Sequence, residues 1–132
     1  MKILIADDEL NNRILLKEIL EPYGECDMVA NGAEAVDIFE AELLDGVPYD
    51  LVLMDIMMPE MSGQEAVKRI RRIEEDHDVR PANEVIIIMV SALDAPADIV
   101  EAFYNGGCTD YITKPFTPQK LMEKLRSNRL LE

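Results

Sequence analysis

Five polar residues stand directly after apolar runs and could do chemistry together. Asp7 and Asp8 follow Ile3-Leu4-Ile5-Ala6, Asp55 follows Leu51-Val52-Leu53-Met54, Ser91 follows Val85–Val90, and Lys114 follows Tyr111-Ile112-Thr113. Three carboxylates brought together repel and raise one another's pKa unless a cation intervenes. Hard oxygen ligands with room for water suit Mg²⁺, with Mn²⁺ as an alternative. Ca²⁺ fits less well, because the sequence contains no DxDxDG loop. A carboxylate beside such a metal and a lysine is a nucleophile toward phosphorus. The cations neutralise charge on the equatorial oxygens, and the carboxylate holds the group as an acyl phosphate. Taken singly, each feature is weak: Asp-Asp after a strand also serves as a helix cap, and Ser91 as a turn residue. Their joint placement carries the weight.

The elements that must position these residues alternate five times between short apolar runs and longer helical patterns. Ile3–Ala6, Asp27–Ala30, Leu51–Met54, Val85–Val90 and Tyr111–Thr113 read as strands. Val85–Val90 is too continuously apolar for a one-sided sheet and predicts a parallel sheet covered on both faces. Helix starts are marked by Asn31 with Glu34, Ser62 with Glu65, Asp94 before Pro96, and Thr117-Pro118. Stops are marked by Pro22 and Gly24, by Gly46 and by Gly106-Gly107. Ile14, Leu15, Ile19 and Leu20 form the expected apolar stripe of the first helix, and Leu121, Met122 and Leu125 that of the last. The pattern predicts an α/β fold of the (βα)₅ type with helices on both faces of the sheet. Right-handed crossovers then bring all strand C-terminal ends to one edge, where open α/β sheets bind ligands.

Composition narrows the function classes. The 132 residues fit one domain, taken as residues 1–132, and 27 acidic against 13 basic residues leave a net charge of -14. Such a balance argues against a nucleic-acid surface and against an anionic membrane surface. No apolar run approaches a membrane span, and Met1-Lys2 leads into the first strand without a secretory pattern. The expected location is cytoplasmic, and Cys26 and Cys108 are expected to be reduced and to pack as small hydrophobes. Neither GxGxxG nor GxxxxGK[ST] occurs, so a nucleotide cradle has no support. The charged stretch Glu74–Pro81, which includes the lone His77, reads as a solvated loop.

The chain resembles the response-regulator receiver domains, the CheY-like branch of the flavodoxin-like fold. The resemblance rests on Ile5-Ala6-Asp7-Asp8-Glu9, Leu53 to Gly63 (LMDIMMPEMSG), Val90-Ser91-Ala92 and Asp110 to Phe116 (DYITKPF). It implies a five-stranded parallel sheet in the order 2-1-3-4-5, which would put Cys26 and Cys108 near opposite edges. It implies Asp55 as phosphoacceptor. Asp7, Asp8, Asp55 and the Met57 backbone carbonyl would form the metal site, and Lys114 and Ser91 would contact the phosphoryl oxygens. Tyr111 would respond to Ser91 as a switch residue, and Lys114–Pro115 would be a cis peptide. The implied partners are a histidine kinase or histidine phosphotransfer protein upstream and an output protein or domain downstream. Two other readings compete with this non-enzymatic signalling role: a small aspartyl-nucleophile phosphohydrolase and a phosphorylation-independent interaction module. Met57, where haloacid-dehalogenase-type phosphatases carry a second Asp, argues against the first. The complete Asp, Ser and Lys set argues against the second.

Overall fold

A computed structural model describes all 132 residues. Its strands β1 (Lys2–Ala6), β2 (Glu25–Val29), β3 (Leu51–Met54), β4 (Ile86–Ser91) and β5 (Asp110–Thr113) form one parallel sheet in the order β2-β1-β3-β4-β5. The helices are α1 (Leu10–Leu20), α2 (Gly32–Leu44), α3 (Gly63–Asp76), α4 (Pro96–Val100) and α5 (Pro118–Ser127). A π-helical segment, Glu101–Gly106, continues α4.

Alternation along the strands builds two cores. Leu4, Val52, Ile87 and Met89 point to one face, where they meet Ala35 and Phe39 of α2 and Ala66, Val67 and Ile70 of α3. Ile3, Ile5, Leu53, Ile88 and Ile112 point to the other, against Leu16 and Leu20 of α1 and Leu121 and Leu125 of α5. Two-sided burial of this kind is what the unbroken apolar run of β4 requires. Three of the four expected helix starts are capped by side chains: Asn31 Oδ1 accepts from Glu34 N at 2.8 Å and Ser62 Oγ from Glu65 N at 3.2 Å. Thr117 Oγ1 does the same for α5, accepting from Lys120 N at 3.1 Å. Cys26 and Cys108 are free thiols, associated with β2 and β5 at opposite ends of the strand order. Burial pushes the Cys108 thiol up to about 11.

Four expectations need correction. β2 begins two residues before Asp27, because an edge strand pairs through its backbone (Lys2 opposite Glu25) whatever the polarity of its side chains. In α1, Ile14 and Leu15 lie outward at 41% and 46% exposure. Ile14, Leu15 and Leu16 are consecutive, each turned about 100° from the last, so only one of them faces the sheet squarely. Asp94 caps nothing; Ala95 precedes α4 and has no side chain to do so.

The fourth correction concerns the charged stretch. Helix α3 runs on to Asp76, and Glu74 is buried, not solvated. Its carboxylate accepts from Val85 N at 2.7 Å and from Arg71 Nη1 at 2.7 Å. Arg71 also donates to the carbonyls of Val85 and Gly107, both at 2.9 Å, and to Thr109 Oγ1 at 3.2 Å. One ion pair thus ties the end of α3 to the starts of β4 and β5. Glu74→Ala should leave the buried Val85 amide unpartnered and the Arg71 guanidinium without its counter-charge, and cost about 3 kcal/mol in urea unfolding. A loss below about 1 kcal/mol would show that water replaces the carboxylate.

Candidate functional site

The C-terminal edge of the sheet gathers the residues singled out above. β1 delivers Asp7, β3 delivers Asp55, β4 ends in Ser91 and β5 is followed by Lys114. Asp7, Asp55 and Ser91 are buried, with exposures of 1%, 8% and 1%, while Asp8 is exposed. One carboxylate oxygen from each of Asp7, Asp8 and Asp55 lies within 4.8 Å of the others. Lys114 Nζ donates to Asp7 Oδ2 at 2.8 Å and to Asp55 Oδ2 at 3.0 Å. Burial alone would lower the Lys114 pKa, but the hydrogen bonds and negative charge of Asp7 and Asp55 outweigh it and hold the pKa above the usual lysine value. The ammonium is therefore charged at neutral pH.

The backbone fixes these positions from several directions. Asp7 Oδ1 accepts from Glu9 N at 2.9 Å, so the residue closes a turn into α1 with one oxygen and binds Lys114 with the other. Arg13, one turn into α1, donates to the Asp7 carbonyl at 2.7 Å. Asp55 N donates to Ala6 O at 2.9 Å, and Lys114 N donates to Ser91 O at 2.8 Å. The Lys114–Pro115 peptide is cis. Gly63 N donates to Ile56 O at 2.8 Å, and a Cβ on Gly63 would stand 1.9 Å from the Asp55 carbonyl oxygen. The chain passes so close behind Asp55 that only glycine fits. Arg13 and Gly63 were not marked as site residues by the sequence; the one signal available was a glycine opening a helix just after the loop that follows Asp55.

Ser91 and Tyr111 meet at a shared residue. Ser91 Oγ accepts from Leu93 N at 3.3 Å, and Tyr111 Oη donates to Leu93 O at 2.5 Å. The β4–α4 loop is thus gripped at both sides of Leu93. The Ser91 hydroxyl, accepting there, keeps its own O–H to donate. Burial raises the Tyr111 pKa against the opposing effect of the nearby Ser91 hydroxyl, with the negative charge of Asp98 and Asp55 adding to the rise. Met57 is 65% exposed, and its carbonyl accepts no backbone hydrogen bond.

Three carboxylates facing one ammonium leave two uncompensated negative charges in a pocket of hard oxygen donors. That donor set fits a divalent cation such as Mg²⁺.

A parallel sheet in this order with this acidic edge defines a CheY-like α/β domain. The family model described as the response regulator receiver domain matches residues 3–126, and the chain belongs to that family. It is 35% identical over 126 residues to the chemotaxis protein CheY of Thermotoga maritima, covering 94% of this chain and 93% of that one. It also matches a hybrid signal transduction histidine kinase of Dictyostelium discoideum at 35% identity, but spans only 7% of that protein's length. Among solved structures, the Ssk1 receiver domain of Saccharomyces cerevisiae, co-crystallised with the histidine phosphotransfer protein Ypd1, superposes with a TM-score of 0.79 at 31% identity, over 94% of this chain and 85% of that one. The receiver domain of the Arabidopsis thaliana histidine kinase CKI1, complexed with Mg²⁺ and BeF₃⁻, superposes with a TM-score of 0.78 at 26% identity, over 96% and 89%. No helix of this chain is long and apolar enough to cross a membrane.

The close packing at Gly63 generates a direct test. Gly63→Ala should displace the Asp55 backbone, shift the amide resonances of residues 54–57 and lower stability by about 2 kcal/mol or more. Unchanged stability and an unchanged Asp55 amide would show that the loop yields without moving the carboxylate.

Proposed function

We propose that this receiver domain accepts a phosphoryl group on Asp55 from a histidine kinase or histidine phosphotransfer protein, in an Mg²⁺-dependent reaction, and signals by the resulting change in shape. The observation that carries this reading is the Asp55 carboxylate, near two further carboxylates and bonded to Lys114 at 3.0 Å. Asp7, Asp8, Asp55 and the Met57 carbonyl would hold the metal, which when bound neutralises charge on the transferring group. As the donor's phosphorus–nitrogen bond breaks, an Asp55 Oδ–phosphorus bond forms, and the leaving imidazole takes a proton from solvent. Lys114 pairs with a phosphoryl oxygen and the Ser91 O–H donates to another.

The donor must reach the edge from outside. On α1, which starts two residues after Asp8, Leu10 and Ile14 stand one turn apart at 57% and 41% exposure. This apolar strip beside the acidic edge suits a helical partner that presents its histidine to Asp55.

The response runs the other way. A phosphoryl group that draws Ser91 inward pulls the loop at Leu93, whose carbonyl holds the Tyr111 hydroxyl. Releasing Tyr111 reshapes the open cavity of about 500 Å³ lined by Ile99, Phe103, Phe116 and Lys120. This α4–β5–α5 surface is the reading's docking place for a downstream output protein or domain. The domain promotes its own phosphorylation and a slow dephosphorylation but does not turn over phosphoesters as an enzyme.

A small-molecule phosphodonor with Mg²⁺ should add one phosphoryl group, seen by intact mass. Asp55→Asn or EDTA should each abolish that addition; if either leaves it unchanged, Asp55 or the metal is wrongly assigned. Met57 bears on how long the group stays. An apolar thioether cannot orient an attacking water, whereas an amide can. Met57→Asn should therefore shorten the lifetime of the phosphorylated protein several-fold, a change of the order of 1 kcal/mol in the barrier. Equal or slower loss of label in the variant contradicts the role given to Met57.

A further inference from the structure

The carboxylates of the acidic edge are not held equally. Asp7 is fixed at both oxygens, by the Glu9 amide at 2.9 Å and by Lys114 at 2.8 Å. Asp55 is fixed by Lys114 at 3.0 Å. Asp8 is exposed, and its carboxylate makes no hydrogen bond and no ion pair with the protein. Yet one of its oxygens lies within 4.8 Å of oxygens of the other two. Something other than its own contacts must hold it there.

The backbone supplies that hold. Asp7 and Asp8 share one peptide unit, a rigid plane running from the Cα of Asp7 to the Cα of Asp8. The Asp7 end is anchored: its N–H donates to Val29 O at 3.2 Å, and its side chain is tied at both oxygens. What remains is rotation about the Asp7 Cα–C bond, which swings the plane and carries Asp8 with it. Arg13 Nη1 donates to the carbonyl oxygen of this plane at 2.7 Å. The donor is charged, and such hydrogen bonds are short and roughly twice as strong as neutral ones. The Glu9 amide, bonded to Asp7 Oδ1, limits the far side of the same turn. Asp8 therefore sits between two backbone restraints, with its own side-chain torsions left free.

Arg13 is half-buried and forms no ion pair, although three carboxylates surround the turn it binds. Its one side-chain hydrogen bond goes to a neutral carbonyl. We propose that Arg13 is a positioning residue for the metal site: by holding the Asp7 carbonyl it orients the Asp7–Asp8 peptide and keeps the Asp8 carboxylate beside those of Asp7 and Asp55. The proposal rests on the Mg²⁺ reading given above. Groups that hold a ligand in place commonly carry about tenfold or more of a site's metal affinity. Here the loss has a ceiling, because loosening Asp8 cannot cost more than removing its carboxylate. On charge alone a guanidinium beside this edge opposes a divalent cation. Its charge and its hold on the peptide therefore act with opposite signs, and a variant can separate them.

The test titrates Mg²⁺ into the full chain and its variants and follows backbone amides by NMR. Arg13→Met should weaken Mg²⁺ binding by about five- to tenfold, and by less than Asp8→Ala does. Arg13→Lys, which keeps a charged donor, should recover most of the affinity. In the metal-free protein, nitrogen relaxation should show the Asp8 amide gaining picosecond–nanosecond mobility in Arg13→Met, with the Asp55 amide unchanged. Adding Arg13→Met to Asp8→Ala should leave Mg²⁺ affinity unchanged or raise it, since no carboxylate remains to be positioned and only the charge effect is left. Tighter Mg²⁺ binding in Arg13→Met alone would show that only its charge matters and would overturn the proposal. Equal losses in the two backgrounds, with a shifted Asp55 amide, would also overturn it, as a general loss of structure. If Asp8→Ala itself leaves Mg²⁺ affinity unchanged, the metal reading falls, and this inference with it.

Discussion

Everything at the active edge depends on one ammonium shared by two buried carboxylates. Lys114 reaches from the end of β5, across β4, to Asp55 on β3 and Asp7 on β1. Without it, carboxylate oxygens within 4.8 Å would repel by about 3 kcal/mol per pair at the effective dielectric near a protein surface. With it, the cluster is still short of two positive charges. On the reading proposed above, that shortfall leaves the site folded but ready for a divalent cation and for the negative oxygens of a phosphoryl group beside Lys114.

The fold can carry such a cost because its stability comes from elsewhere. Each fully buried Ile or Leu of the two cores contributes about 1.5–3 kcal/mol by leaving water. The strands that supply this burial also fix the edge, since Asp55 N and Lys114 N donate across the sheet to Ala6 and Ser91. At the other edge, Arg71 and Glu74 lock α3 to β4 and β5. The polar loop at Leu93 is held by only two side-chain hydrogen bonds, from Ser91 and Tyr111. On the proposed reading, a hydrogen bond gained by Ser91 would compete with these contacts and with the packing of Leu93 on the core.

Most of this was legible in the sequence because strand-end chemistry and two-sided burial leave strong local signatures. Asp7, Asp8, Asp55, Ser91 and Lys114 were found by what precedes them, and the sheet converges them as expected. The misreadings share a cause: they turn on tertiary partners. Glu74 looked solvated because its neighbours in sequence are charged, and its burial depends on Arg71 and the Val85 amide. Ile14 and Leu15 looked like core because they are apolar, yet the core takes Leu16, Leu20 and the half-buried Ile19 from that helix. Ile14, with Leu10, instead forms an exposed apolar strip beside the acidic edge. Gly63 could not be recognised from its type; the need for it appears only when the Asp55 carbonyl is seen against it.

The central claim is that the charge balance among Asp7, Asp8, Asp55 and Lys114 governs the site. It is tested most directly by titrating Mg²⁺ into the protein and its variants and following the Asp55 amide by NMR. Removing a negative charge with Asp8→Asn should weaken Mg²⁺ binding by about tenfold or more, while removing the positive charge with Lys114→Met should strengthen it. Opposite responses of the two variants are the result the account predicts. Affinity unchanged in both, or weakened equally in both, would contradict it.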